Sequence, residues 1–360
     1  VKANYIDTLL RTLVIKRASD LHLQAGTAPV FRVHGDLIFS DLEAVPSEEL
    51  EKYVYSIMNA EQKERFLKTH HLDLSYAVPG IARFRANVFR QRGSVGIVMR
   101  MIPFDIPTIE DLGLPPVTTD LASRPNGLVL FTGATGSGKS TSLAAIINFI
   151  NNTRKAKIIT IEDPLEFVHS NRLSVIDQRE VGMDTESFSM ALRDALREDP
   201  DVILVGEMRD LDTVSNAITA AETGHLVFAT LHTNDSVQAI DRMIDVFPPH
   251  QQPQVRSQLA VTLQAVIAQT LLKRKDGSGR VAAFETMIVT NAVRNLIKEG
   301  KTLQIYSAIQ TGKQEGMQPM RDFLKQLCQK GLVAPEEAAM KVADAKQFEV
   351  EVKGHLAMKK

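Results

Sequence analysis

At 360 residues the chain is long enough for two domains, each burying its own core. With 42 Lys and Arg against 43 Asp and Glu, the net charge is −1, so no basic field draws it to nucleic acid or anionic lipid, and a nucleic-acid motor is disfavoured. The single cysteine, Cys328, excludes an intrachain disulfide and a multi-thiolate zinc site, and fits a reducing compartment.

The opening stretch VKANYIDTLLRTLVIKRASD carries charge on both flanks and no small-residue cleavage site, so it does not read as a signal peptide. Alternating apolar residues in LHLQAG, VFRVHGDL, LDLSYAV and ARFRANVFRQRG predict strands, with SEELEKYVYSIM as an intervening helix. Residues 1–101 therefore form a small α+β domain. On the last predicted strand Arg83 and Arg85 share one face, as do Arg90 and Arg92; most such stripes are merely solvated. From Ile102 to Val117 the chain carries four prolines and little periodicity, which predicts a linker.

Beyond it, the apolar runs GLVLFT, KIITI, LSVI, DVILV, HLVFATL and VAAFETMIV alternate with helical patterns. Runs without polar alternation belong in a sheet covered on both faces, hence a parallel α/β core over residues 118–290. The longest mostly apolar window, Leu259 to Leu272, is interrupted by two Gln and falls short of the ~18 residues that span a bilayer. From Asn291 to the end the pattern is helical.

Gly133, Ala134, Thr135, Gly136, Ser137, Gly138, Lys139, Ser140 and Thr141 follow a predicted strand and open a predicted helix, and they fit the phosphate-loop pattern G-x-x-x-x-G-K-[ST]. In such a loop, backbone N–H groups converge on phosphate. Lys139 would serve as a solvent-facing ligand of the β/γ oxygens and Ser140 as a ligand of Mg²⁺. No N-K-x-D for reading guanine is present, which favours ATP over GTP.

Ligands of an open parallel sheet lie beyond the carboxyl ends of its strands. The run IITI leads to Glu162, Asp163 and Glu166, VILV to Gly206 and Glu207, and LVFATL to His232. Glu207 stands where a carboxylate holds Mg²⁺ through water or orients the attacking water, and Glu166 is the other candidate for activating that water. Glu162 and Asp163 suit a solvated turn as well as a site. His225 and His232 flank one strand and lie too far apart to share a metal: His232 is placed to sense the γ-phosphate, whereas His225 at the far end suits a structural hydrogen bond.

The boxes ASDLHLQAG (Ala18 to Gly26), GATGSGKST, TIEDPLEFVH (Thr160 to His169), ALREDPDVILVGEMRD (Ala195 to Asp210) and TAAETGHLVFATLHTN (Thr219 to Asn234) resemble those of the type II/type IV secretion ATPases. Within that superfamily the chain is most similar to the type IV pilus retraction ATPases, the motors of twitching motility. The resemblance implies a PAS-like domain over 1–101, a linker over 102–117, a RecA-like core over 118–290 and a C-terminal helical region over 291–360. It implies a cytoplasmic homohexamer that hydrolyses ATP with Mg²⁺ at the inner-membrane base of the pilus machine. The implied partner is an inner-membrane platform protein, with no nucleic acid and no direct membrane insertion.

Carried over, Lys139 and Ser140 are the Walker A pair, Glu166 the proposed general base of the Asp box, Glu207 the Walker B glutamate, and His225 and His232 the His box. Arg83, Arg85 and Arg100 resemble arginines that reach nucleotide across a subunit boundary. Ala292, Val293, Arg294, Asn295 and Leu296 read AVRNL where retraction motors carry AIRNL, and the four-cysteine zinc element of extension motors is missing. On its residues alone, AVRNL reads as an amphipathic helix with Val293 and Leu296 inward and Arg294 solvent-accessible. Rival readings are an accessory retraction or type II secretion ATPase, a RecA-like nucleic-acid motor and a catalytically silent scaffold.

Overall fold

Alternating and continuous apolar patterns separate along the chain, and they build two different sheets. The computed structural model describes residues 4–33, 35–102 and 105–358. Residues up to Asp105, together with 166–168, make one unit; Ile106–Leu165 and the residues from His169 onward make the other.

In the first unit, strands β1 (Asp20–Gln24), β2 (Val30–Val33), β3 (Asp36–Phe39), β4 (His71–Val78), β5 (Ala82–Gln91) and β6 (Ser94–Ile102) form an antiparallel sheet in the order β3-β2-β1-β6-β5-β4. Period-two alternation sends Leu21, Leu23, Phe31, Phe84, Val88 and Ile97 into a core shared with Leu9, Leu10, Leu50 and Phe66 of three helices. Each such buried side chain contributes roughly 1.5–3 kcal/mol. The third helix, Ala60–Thr69, starts on a capping box in which Asn59 and Gln62 each bond the other's backbone N–H.

Three local features depart from the sequence reading. The stretch VFRVHGDL is a hairpin, β2 and β3, rather than one strand; its His34 lies outside the described residues. Strand β5 stops at Gln91, because Arg92 and Gly93 take φ of 48° and 80° in a two-residue turn, so Arg90 and Arg92 do not share a strand face. The segment Tyr5–Ile15, read only for a leader, is an amphipathic helix burying Ile6, Leu9, Leu10 and Leu13.

In the second unit, β7 (Gly127–Thr132), β8 (Lys157–Glu162), β9 (Val175–Glu180), β10 (Val202–Val205), β11 (Leu226–Leu231), β12 (Leu263–Lys273) and β13 (Arg280–Ile288) form a sheet ordered β13-β12-β7-β11-β10-β8-β9. Six strands run parallel, and β13 adds antiparallel to β12 at one edge. Strands β7, β10 and β11 are buried at every residue, as continuous apolar runs demand. The long apolar window Leu259–Leu272 is divided between the helix Gln252–Thr262 and β12. Among the described residues, no helix is long and apolar enough to cross a membrane.

The C-terminal helices Met320–Gln329, Pro335–Ala339 and Ala345–Met358 contribute to a separate core of Leu272, Leu324, Leu327, Cys328 and Phe348. Burial pushes the Cys328 thiol up to about 11, which leaves it unreactive.

Candidate active site

Strand β7 delivers the chain straight into the glycine loop. Gly133 and Gly138 take φ of 146° and 89°, which disfavour any side chain, and the helix Lys139–Thr153 begins at the next residue. The unpaired N–H groups of its first turn make an anion site. Ala134, Thr135 and Gly136 are exposed at the loop's tip, Ser137 is buried, and Ser140 and Thr141 are half-buried at the helix start. Lys139 does not face solvent: it is 8% exposed, and its Nζ donates to the carbonyls of Gly133 at 2.6 Å and Ala134 at 3.1 Å. The compact loop supplies these acceptors, whereas the sequence reading placed the ammonium in water.

Strands β7, β11, β10 and β8 are successive neighbours, so their carboxyl ends carry the loop, His232, Glu207 and Glu162 side by side. His232 Nε2 lies 2.9 Å from Glu207 Oε1, and Arg209 Nε donates to that same oxygen. Burial works to raise the Glu207 pKa, but the bond from Arg209 and the nearby His232 outweigh it, so its carboxyl titrates below the usual range and stays ionised. Hydroxyls tie the strand ends together: Thr132 bonds the Thr233 carbonyl, and Thr230 bonds the Gly206 carbonyl. Gly206 has a packing reason, since a Cβ there would meet the Ile161 carbonyl oxygen at 3.0 Å and Glu162 Cα at 3.2 Å. Glu162 accepts from Thr160 at 2.7 Å, and Asp163 is exposed.

Of the anticipated residues in the second unit, His225 stands apart from this cluster. His225 is at the opposite end of β11, where its Nδ1 lies 2.9 Å from the Ala220 carbonyl oxygen. Glu166 is exposed in the short segment that groups with the first unit. In that unit Arg85 and Arg100 are directly paired across β5 and β6, and Arg83 lies two residues along the same face of β5. Arg83 Nε donates to Ser75 Oγ at 2.6 Å, Arg85 lies 3.8 Å from Asp73, and Arg100 Nε donates to buried Asp20 at 2.7 Å. Asp20, Asp73, Arg85, Asn87, Val98 and Arg100 line a pocket of about 210 Å³.

AVRNL lies in the helix Asn291–Lys298, with Val293 buried, Leu296 half-buried, and Ala292 and Asn295 exposed. Arg294 is not free at the surface: Nε donates to the Ala260 carbonyl at 2.8 Å and Nη1 to Asn291 Oδ1 at 2.9 Å. A carbonyl at the end of the neighbouring helix provides this partner, which helix periodicity could not reveal. Arg209 was also missed, although its place two residues beyond Glu207 was a usable signal in extended chain. Among the described residues, no group of three or more His, Cys, Asp or Glu could hold a metal ion.

An anion-binding loop at the end of a buried parallel strand, beside an ionised carboxylate bonded to an imidazole, defines a phosphate-loop nucleotide-binding protein. The chain belongs to the family described as Type II/IV secretion system protein, whose profile matches residues 2–340. It is 51% identical to the type IV pilus retractation ATPase PilT of Pseudomonas aeruginosa, over 95% of this chain and 99% of that protein. It is 48% identical to a twitching motility protein of Neisseria gonorrhoeae, over 95% of this chain and 91% of that one. The crystal structure of the pilus retraction motor PilT with bound ADP superposes with a TM-score of 0.89 at 46% identity, covering 97% of this chain and 100% of the other. The mixed α/β architecture, with its two sheets, is therefore that of a pilus and secretion ATPase.

Proposed function

We propose that this protein hydrolyses ATP to drive retraction of type IV pili. The supporting observation is the His232–Glu207 pair, held beside a phosphate loop in a chain whose relatives are pilus retraction motors. Loop N–H groups hold the phosphates, and Lys139 leaves its loop carbonyls for the β/γ oxygens. Glu207, ionised and clamped through one oxygen, suits charge-holding and water orientation better than proton uptake, which leaves Glu166 as the general base. His232 links Glu207 to the γ-phosphate.

The half-buried Ser140 hydroxyl in the first helical turn and the charged Glu207 supply the hard oxygen donors that Mg²⁺ takes. Held by these two residues, Mg²⁺ would supply charge neutralisation of the phosphate oxygens.

In this reading, a PAS-like N-terminal domain and a RecA-like core assemble into a homohexameric ring at the cytoplasmic face of the inner membrane, coupled to a membrane platform protein. Arg83, Arg85 and Arg100 serve a neighbouring subunit's nucleotide. The linker over 102–117 is the hinge; its Pro103 and Phe104 lie outside the described residues. Live imaging of labelled pili tests the function: cells carrying Glu207→Gln should extend pili and fail to shorten them. Normal shortening at normal expression would refute it.

A further inference from the structure

Strand β12 runs parallel beside β7 with Ala268 opposite Thr132, so Gln269 lies next to the point where the chain enters the glycine loop. Its side chain is 3% exposed, and both ends of the amide are engaged. Nε2 donates to the Ser137 carbonyl at 2.8 Å, while Oε1 accepts from the Ser142 hydroxyl, also at 2.8 Å. The orientation follows from the partners: a backbone carbonyl can only accept, so the NH₂ must face Ser137. Ser142, 1% exposed on the helix that follows the loop, donates to the amide oxygen and so anchors the side chain in the orientation that the carbonyl sets.

We propose that Gln269 is a positioning residue for nucleotide, which sets the direction of a phosphate-facing N–H group. The inference rests on the reading that the loop binds nucleotide. The Ser137–Gly138 peptide bond is trans and planar, so its carbonyl and its N–H point in opposite directions. Pinning the Ser137 carbonyl to β12 therefore turns the Gly138 N–H away from β12 and into the loop. Without that bond the buried carbonyl has no partner at this position, and rotation of the peptide would aim an acceptor at the anion.

The glycines of the loop report the same contact. A Cβ at Gly133 would lie 2.3 Å from the Gln269 carbonyl oxygen, and one at Gly138 would lie 2.8 Å from Gln269 Nε2. Both glycines let the loop close onto this one residue, so the motif's spacing is matched to a strand more than a hundred residues away in sequence.

The test uses the full chain, a fluorescent ADP analogue and thermal unfolding without nucleotide. Gln269→Met keeps the length of the side chain but cannot donate; it should weaken ADP binding about tenfold in the folded protein. Ser142→Ala retains Gln269 but removes the anchor of its amide; it should weaken binding by about threefold and add little on top of Gln269→Met, because both act through one hydrogen bond. A purely structural role would lower the unfolding temperature and leave the affinity of the folded protein unchanged, which overturns the proposal. Wild-type affinity in Ser142→Ala overturns it as well, even should Gln269→Met fail to fold. Wild-type protein that binds no nucleotide overturns both this proposal and the nucleotide reading; binding that is intact in every variant overturns this one alone.

Discussion

His232 Nε2 and Glu207 Oε1 lie 2.9 Å apart, joining the carboxyl ends of β11 and β10 through a single carboxylate oxygen that Arg209 also engages. Glu207→Gln keeps the shape and removes the charge. It should lower ATP turnover by about 10²- to 10³-fold, and His232→Ala by about tenfold or more, with nucleotide binding largely retained. Steady-state phosphate release alongside an equilibrium binding titration separates the two effects. Wild-type turnover in Glu207→Gln would remove the carboxylate from the mechanism.

Lys139→Ala should abolish ATP hydrolysis and weaken nucleotide binding. The lost bonds to Gly133 and Ala134 are net contributions of about 1 kcal/mol each, so the ligand-free fold should survive with a lower unfolding midpoint. Circular dichroism with a phosphate-release assay checks both halves; substantial turnover in a folded variant is the contrary result.

Arg294 and Asn295 are neighbours with different expected costs. Arg294→Ala loses the bond to the Ala260 carbonyl and should lower stability by about 1 kcal/mol in urea unfolding. Exposed Asn295→Ala should change stability by less than about 0.5 kcal/mol. Coupling to a partner should thus be visible in Asn295→Ala as retained ATP hydrolysis with pili that no longer shorten. Normal shortening there would make AVRNL an ordinary packing helix.

Burial depresses the pKa of His169 from 6.5 to about 4, and its Nδ1 is buried without a hydrogen-bond partner. The unfolded chain takes up the proton near pH 6.5 and the folded chain near 4. The neutral imidazole's contribution is complete above pH 6.5 and is lost as the pH falls toward 4, amounting to roughly 3 kcal/mol across that window. The gap in unfolding free energy between wild type and His169→Gln should accordingly narrow or reverse between pH 7.5 and 4.5. A constant gap would show that His169 does not titrate in this way.

Mixed assemblies test the arginines of the first unit. Lys139→Ala chains combined with Arg83→Ala/Arg85→Ala chains should recover part of the ATPase activity where one interface pairs an intact loop with intact arginines. Activity equal to the sum of the separate populations, with subunit exchange verified, would exclude those two arginines from acting across subunits.

The glycine loop, the parallel core strands and the groups at their carboxyl ends were legible in the sequence because each depends on local order. A phosphate loop needs its glycines, lysine and hydroxyl within nine residues, and a doubly covered strand needs an unbroken apolar run. Strand adjacency, by contrast, involves residues distant along the chain. The positions of Gln269 under the loop and of Ala260 under Arg294 depend on β12 and its preceding helix, two elements that one apolar window concealed. The turn at Arg92, which removes it from the strand face of Arg90, was likewise hidden, since alternation in sequence does not mark where a strand stops.

The sequence by itself determined the chemistry available to this protein: an anion loop, carboxylates and imidazole at strand ends, and no cysteine set for zinc. Tertiary structure decided which of those groups touch. It bonded Glu207 to His232 and Arg209, turned Lys139 onto its own loop and held the Ser137 carbonyl against β12. The physical reason is range: backbone preference and apolar periodicity act over a few residues, whereas a hydrogen bond is satisfied by whichever partner packing brings within about 3 Å.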